Sequence, residues 1–209
     1  VKKVRNYVVK LIGIVGTNSK KSTNRNLLVY MQKHFADKAE IELVEIKDLP
    51  LFNKPTDKKL PGSVLEIAQK IEAADGVIIA TPEYDHAVPA ALMNALAWLS
   101  YGITPLLNKP VMITGASYGQ LGSSRAQAQL RQILDAPELK ANVMPGSEFL
   151  LPHSLQAFDA DNNLLDLGTV QKLDALFEDF CLFVKIAEKL SNAQDLLHKE
   201  AQDFDWEKL

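Results

Sequence analysis

Three segments gather side chains suited to holding a flat, phosphate-bearing ligand. The first is Gly16–Thr17–Asn18–Ser19–Lys20–Lys21–Ser22–Thr23–Asn24, dense in hydroxyl and amide groups. At the start of a helix such a loop offers backbone N–H groups, hydroxyl donors and a favourable dipole to an anion. Two nucleotide fingerprints fail here. A dinucleotide loop needs G-x-G-x-x-G, and only Gly13 and Gly16 are present; a triphosphate loop needs a glycine before Lys-Ser, where Lys20 stands. A polar loop with a capped helix start is the competing reading. The second segment, Thr81–Pro82–Glu83–Tyr84–Asp85–His86–Ala87–Val88–Pro89, sets an aromatic ring and charged groups in a proline frame. A flat ligand fits against Tyr84 while backbone amides meet its polar edge. Asp85 and His86 are an unpromising acid–base pair, because adjacent residues do not face each other. The third segment runs from Gly115 to Arg125 through Ser117, Tyr118, Gly119, Gln120, Gly122, Ser123 and Ser124. Its glycines let backbone approach a ligand closely; a flexible turn with capping serines is the alternative. Arg125 falls in the first turn of a helix, where the dipole opposes a cation, so it calls for an anionic partner.

The elements that position these loops are legible in the apolar pattern. Leu11–Gly16, Gly76–Thr81 and Pro110–Gly115 are short continuous apolar runs, as expected of strands buried on both faces of a parallel sheet. Ile41–Ile46 carries Glu42 and Glu45, which predicts a sheet edge. The stretch from Asn142 to Leu151 is broken by Pro145 and Gly146, which predicts an edge strand or two short pieces. Helical spacing appears at Leu27, Leu28, Met31 and Phe35; at Val64, Ile67, Ala68 and Ile71; at Leu92, Ala95, Leu96 and Leu99 behind Pro89; and at Ala126, Leu130, Ile133 and Leu134, with Ser123 or Ser124 as cap. A last helix spans about Thr169–Leu190, with Leu173, Leu176, Phe177, Phe180, Cys181, Val184 and Ala187 on its apolar face. The β-α alternation predicts a doubly wound five-stranded parallel sheet with helices on both faces. All three loops then lie at the carboxyl ends of strands, where such sheets bind ligands.

Composition bounds the alternatives. The 209 residues are 47% apolar and 23% charged, with 23 Lys plus Arg against 26 Asp plus Glu, a net charge of −3. That balance gives no electrostatic pull toward nucleic acid or an anionic membrane. No apolar run spans a bilayer, and Val1–Lys10 does not read as a secretory signal. The single cysteine, Cys181, reads as core, and His34, His86, His153 and His198 lack metal-ligand spacing. A reducing cytoplasm is the expected compartment.

At the three loops the chain resembles the NADPH-dependent FMN reductase family, flavodoxin-like oxidoreductases that include quinone and azo-dye reductases. The family's first loop reads roughly G-S-x-R-x-x-S-x-N, its second T-P-E-Y-N-H-S-x-P, and its third G-A-S-x-G-x-x-G-x-x-R-A-Q. Residues 16–24, 81–89 and 115–127 match these in order, and Asn94–Ala95–Leu96–Ala97–Trp98 also looks familial. The likeness runs from about Leu11 to Lys189. It implies FMN as cofactor, NADPH or NADH as donor, and an acceptor such as free flavin, a quinone or an azo compound. By position, it implies that Thr17, Ser19, Ser22 and Asn24 surround the phosphate. Pro82, Glu83, Tyr84 and Asp85 then border the isoalloxazine, with Ser117, Tyr118, Gly119 and Gln120 at its other edge. Ser19 stands where the family has arginine, with Lys20 or Lys21 available to supply charge; Asp85 replaces an amide; Tyr118 stands where proline is common.

The flavin carries the hard chemistry in such enzymes, so no essential acid–base side chain is expected. A flavodoxin-type electron carrier or a redox-sensing protein is the alternative, and a net charge of −3 argues against the strongly acidic carrier. The expected organisation is one FMN-binding domain over residues 1–190 and a C-terminal extension over 191–209 bearing Leu196, Leu197, Phe204 and Trp206. The resemblance further implies a homodimer or homotetramer.

Overall fold

The continuous apolar runs form the middle of a parallel sheet. In a computed structural model of the chain, residues 8–146 and 148–202 are described, their side chains as far as Ser191. The chain order is β1 (Val9–Val15), α1 (Thr23–His34), β2 (Ala39–Glu45), α2 (Gly62–Ala73), β3 (Gly76–Ala80), α3 (Ala90–Leu99), β4 (Pro110–Ala116), α4 (Ser124–Leu134), β5 (Asn142–Val143), β6 (Phe149–Leu151) and α5 (Leu167–Gln202). The sheet order is β2-β1-β3-β4-β5, with β6 also on β4, and every pairing is parallel. Six strands thus fill five positions. β5 pairs Pro110–Val111 and β6 pairs Thr114–Ala116, end to end along one flank of β4. The interruption falls at Pro145–Gly146, where a proline cannot donate to the ladder and Gly146 takes φ 68°. β2 lies at the other edge, as its glutamates predict.

Alternation along the strands sends side chains to two separate cores. On one face Leu11, Val15, Ile78 and Met112 pack against Leu27, Leu28 and Met31 of α1 and Leu173, Phe177 and Phe180 of α5. Phe35, capping α1, stacks on Phe177 with ring centroids 3.7 Å apart. On the other face Ile12, Ile14, Val77, Ile79 and Val111 meet Ile67 and Ile71 of α2, Leu92 and Leu96 of α3, and Leu130 and Leu134 of α4. The helices therefore cover both faces, and β1 lies where the order reverses between β2 and β3. Cys181 is partly buried beside the first core, and burial raises its thiol pKa, in keeping with a packed rather than a reactive group.

Two boundaries differ from the sequence reading. α5 begins at Leu167, where Asp166 Oδ2 accepts from both the N–H and the hydroxyl of Thr169 at 2.7 Å. It also continues past Leu190 to Gln202, so the start of the expected C-terminal extension is the same helix. Phe204 and Trp206 lie outside the described residues, as do the side chains of Leu196 and Leu197. Among the described residues no helix is long and apolar enough to cross a membrane.

Candidate functional site

The three loops converge above the ends of β1, β3 and β4 and enclose a cavity of about 460 Å³. Ser19, Ser22 and Asn24 line it from the first loop, Pro82, Glu83 and Tyr84 from the second, and Ser117, Tyr118, Gly119 and Gln120 from the third. Thr17 and Asp85 are not in its wall. Lys21, Thr23, His86, Leu121 and Arg125 join it. Of the two lysines weighed as sources of charge, Lys21 faces the cavity and Lys20 does not.

Several residues expected to contact the ligand also hold the loops. Thr17 is buried; its hydroxyl shares a hydrogen bond with the Tyr84 phenol at 3.0 Å and accepts the Ser19 N–H at 3.1 Å. The Asn24 amide grips both backbone groups of Ala116, donating from Nδ2 and accepting at Oδ1, each at 2.9 Å. It straps α1 to the end of β4. The Ser22 hydroxyl caps α1 by accepting the Arg25 N–H at 3.2 Å, which leaves its own proton to donate outward.

Asp85 and His86 form a two-residue turn, with φ 50° and 65°, closed by Tyr84 N–H to Ala87 O at 3.1 Å and Ala87 N–H to Tyr84 O at 2.9 Å. Positive φ at both positions is the hairpin geometry that Asn, Asp and His tolerate best among side-chain-bearing residues. Asp85 thus serves the turn, and Tyr84 is fixed at its base.

The Glu83 carboxylate is turned to α4: Oε2 accepts the N–H groups of Arg125 at 2.9 Å and Ala126 at 3.3 Å, and Oε1 accepts from Arg125 Nη1 at 3.3 Å. It is the anionic partner that Arg125 requires. Beneath it, Gly115 has no room for a side chain, since a Cβ there would sit 2.4 Å from the Thr81 carbonyl oxygen.

Arg25 escaped the sequence reading. Its guanidinium pairs with Glu45 through Nε at 2.5 Å and Nη2 at 2.8 Å, and donates from Nη1 to the carbonyls of Ser19 at 3.0 Å and Lys20 at 3.3 Å. The hydrogen bond to Glu45 raises its pKa above the usual arginine range. This ties the first loop to the edge strand β2. Glu45 lies twenty residues away in sequence, so only tertiary structure brings the pair together. Thr23 and Leu121 lie within the first and third loops, at positions the family patterns leave open.

The donor set suits FMN. The Ser22 hydroxyl, the Lys21 ammonium and the N-terminus of a 12-residue helix meet the requirements of a phosphate, while the Ser19 hydroxyl donates to the Lys21 carbonyl at 2.8 Å and shapes the loop around it. Pro82, Tyr84, Leu121 and residues 117–120 line the rest of the cavity. Among the described residues no group of three or more His, Cys, Asp or Glu side chains is placed to hold a metal ion.

Comparison with known proteins agrees. The sequence model for NADPH-dependent FMN reductase matches residues 9–156. The chain belongs to that family. It is 52% identical over 196 residues to the NADH:(hydroxy)cinnamate reductase subunit CrdA of Vibrio ruber, covering 94% of this chain and 96% of the relative. It is 45% identical to the NADH-dependent flavin reductase subunit 2 of Lactobacillus johnsonii, covering 87% of this chain and all of the relative (100%). Among solved structures, the flavoenzyme NAD(P)H:(acceptor) oxidoreductase FerB of Paracoccus denitrificans superposes with a TM-score of 0.78 at 30% identity, over 86% of this chain and 99% of that one. The fold is flavodoxin-like, and the protein is an enzyme rather than a passive carrier. As a family member it uses FMN to take a hydride from NAD(P)H and pass electrons to a small-molecule acceptor.

Proposed function

We propose that the cavity is the FMN site, with the phosphate at the N-terminus of α1 and the ring system between the second and third loops. The observation that carries this is the gathering of Ser19, Lys21 and Ser22 at a helix N-terminus that opens into the same space as Pro82, Tyr84 and Tyr118. Lys21 takes over the charge of the arginine that Ser19 replaces. Ser22 donates its hydroxyl proton to the phosphate while Thr17 and Asn24 hold the loop from behind. Backbone N–H groups of residues 118–120 face the polar edge of the ring, the Ser117 N–H being held by the Leu151 carbonyl, and no side chain serves as an essential acid or base. The test compares FMN with riboflavin, which lacks the phosphate, by fluorescence titration. FMN should bind far more tightly, and Lys21→Ala should erase much of the difference. Equal affinities for the two flavins would overturn the phosphate placement.

The reading extends to NADH as donor, supported by the two relatives named for NADH. It extends also to a quinone or free flavin as acceptor, since relatives include a quinone reductase of Escherichia coli at 34% identity. The ratio of kcat/KM for NADH to that for NADPH, measured with a panel of acceptors, decides both. We place the protein in the cytoplasm as one domain over residues 1–190, with 191–209 as an extension of its last helix. Exposed Leu182, Ile186 and Leu190 on α5 favour a homodimer or homotetramer. A second reading has independent support: two relatives are each named as a subunit, which fits this chain delivering electrons within a larger assembly. Native mass of the full chain against a form ending at Leu190 separates them. Assembly kept on truncation supports self-association through Leu182, Ile186 and Leu190, its loss supports self-association through the extension, and a monomeric full chain supports the second reading.

A further inference from the structure

α4 lacks a cap of its own. Ser123 stands at the cap position, yet its backbone is left-handed at φ 69°, ψ 25°, and its side chain makes no capping bond. A capping serine needs extended backbone to turn its hydroxyl onto the helix. Ser123 instead points inward, where its hydroxyl accepts from Gln127 Nε2 at 3.2 Å beside Gly115. The first N–H groups of α4 are met from another loop, by Glu83. That carboxylate is only 10% exposed, while the Arg125 it also pairs with is 47% exposed. The far end of the same loop is fixed to α4 as well: the Val88 N–H donates to Gln129 Oε1 at 2.7 Å. Between the two anchors stands the tight Asp85–His86 turn, with the Tyr84 phenol bonded across to Thr17.

We infer that Glu83 is a positioning residue, whose carboxylate caps α4 from outside and thereby locks the second and third loops into one wall of the cofactor cavity. The charge of the carboxylate suits the positive end of the helix. Its consequence is felt at Pro82 and Tyr84 on one side and at the backbone of 117–120 on the other, so the slot between them keeps its width before any ligand enters. A slot set in advance binds more tightly because less order is imposed on binding. The cofactor part of this inference rests on the cavity being the FMN site; the clamp itself does not.

The experiment uses the full chain without flavin for amide hydrogen exchange, and FMN titration for affinity. Glu83→Ala should speed exchange at Arg125 and Ala126, and also at Tyr84 and Ala87 in the opposite loop, by roughly tenfold, the scale of a lost cap. FMN affinity should fall by a similar factor. Glu83→Gln keeps an oxygen to accept the two N–H groups but loses the charge and turns an NH2 toward Arg125 Nη1, so it should fall between wild type and Glu83→Ala on both measures. If Glu83→Ala does not fold, Glu83→Asp decides in its place. It keeps the charge but falls a methylene short of α4, and it should loosen both loops. Faster exchange confined to Arg125 and Ala126, with Tyr84, Ala87 and FMN affinity unchanged, would reduce Glu83 to a local cap and overturn the inference. A wild-type chain that takes up no FMN would instead defeat the cofactor reading, while the exchange data would still decide the clamp.

Discussion

Replacing Asn24 with alanine separates two roles for one residue. The family resemblance makes Asn24 a phosphate neighbour, whereas its geometry makes it a strap. The side chain is 2% exposed, and its amide meets the N–H and C=O of Ala116 at 2.9 Å each. Alanine leaves both backbone groups buried without those partners. Each orphaned group costs about 1–3 kcal/mol, less whatever water recovers, so the FMN-free protein should lose about 2–4 kcal/mol. For a chain of this size that corresponds to a drop in Tm of about 4–16 °C. Asn24→Asp should also destabilise, because it keeps an acceptor for the Ala116 N–H but sets a second oxygen against the Ala116 carbonyl. The assay is thermal unfolding followed by circular dichroism on flavin-free protein, alongside FMN titration. An unchanged Tm with weakened FMN binding would refute the strap and restore Asn24 as a direct phosphate contact.

Other perturbations probe separate joints. Gly115→Ala puts a Cβ 2.0 Å from Ser123 Oγ and 2.4 Å from Thr81 O; since backbone cannot yield as a flexible side chain does, a loss of about 1–3 kcal/mol or more is expected on urea unfolding. Tyr84→Phe removes the bond to the buried Thr17 hydroxyl and should lower flavin-free stability by on the order of 1 kcal/mol on urea unfolding, with FMN binding weakened several-fold as the ring loses its anchor. Asp166 has its pKa lowered first by the Thr169 hydroxyl and then by the Thr169 N–H. Its unfolded form therefore takes up a proton near 3.8 before the folded form does, so its stabilisation is complete above that pH and is lost as pH falls through the lower folded value. Asp166→Ala should lower Tm at neutral pH, and the gap from wild type should close in strong acid.

The sheet was legible because its central strands are buried on both faces and must be apolar throughout, as Gly76–Ala80 and Pro110–Ala116 are. Glu42 and Glu45 marked β2 as an edge, and Pro145–Gly146 marked the break between β5 and β6. Loop composition likewise pointed to the cavity. The direction in which individual side chains turn was not legible. Glu83 and Arg125, Asn24 and Ala116, and Arg25 and Glu45 are far apart in sequence, and no local rule pairs them. Ser123 had the right residue type for a cap, but a left-handed backbone aims it inward. The backbone of α5 stays helical to Gln202, and Leu190, Ala193, Leu197 and Ala201 keep helical spacing; the expected end at Leu190 followed the limit of the family resemblance instead.

On this reading the cavity holds FMN and a nicotinamide reduces it there. The most direct measurement adds FMN to the flavin-free protein, removes the excess, and adds NADH without oxygen while recording the visible spectrum. One FMN should be retained per chain, NADH should promptly bleach its absorption band, and a quinone should restore the colour. A chain that retains no FMN and oxidises no nicotinamide with any acceptor would contradict it.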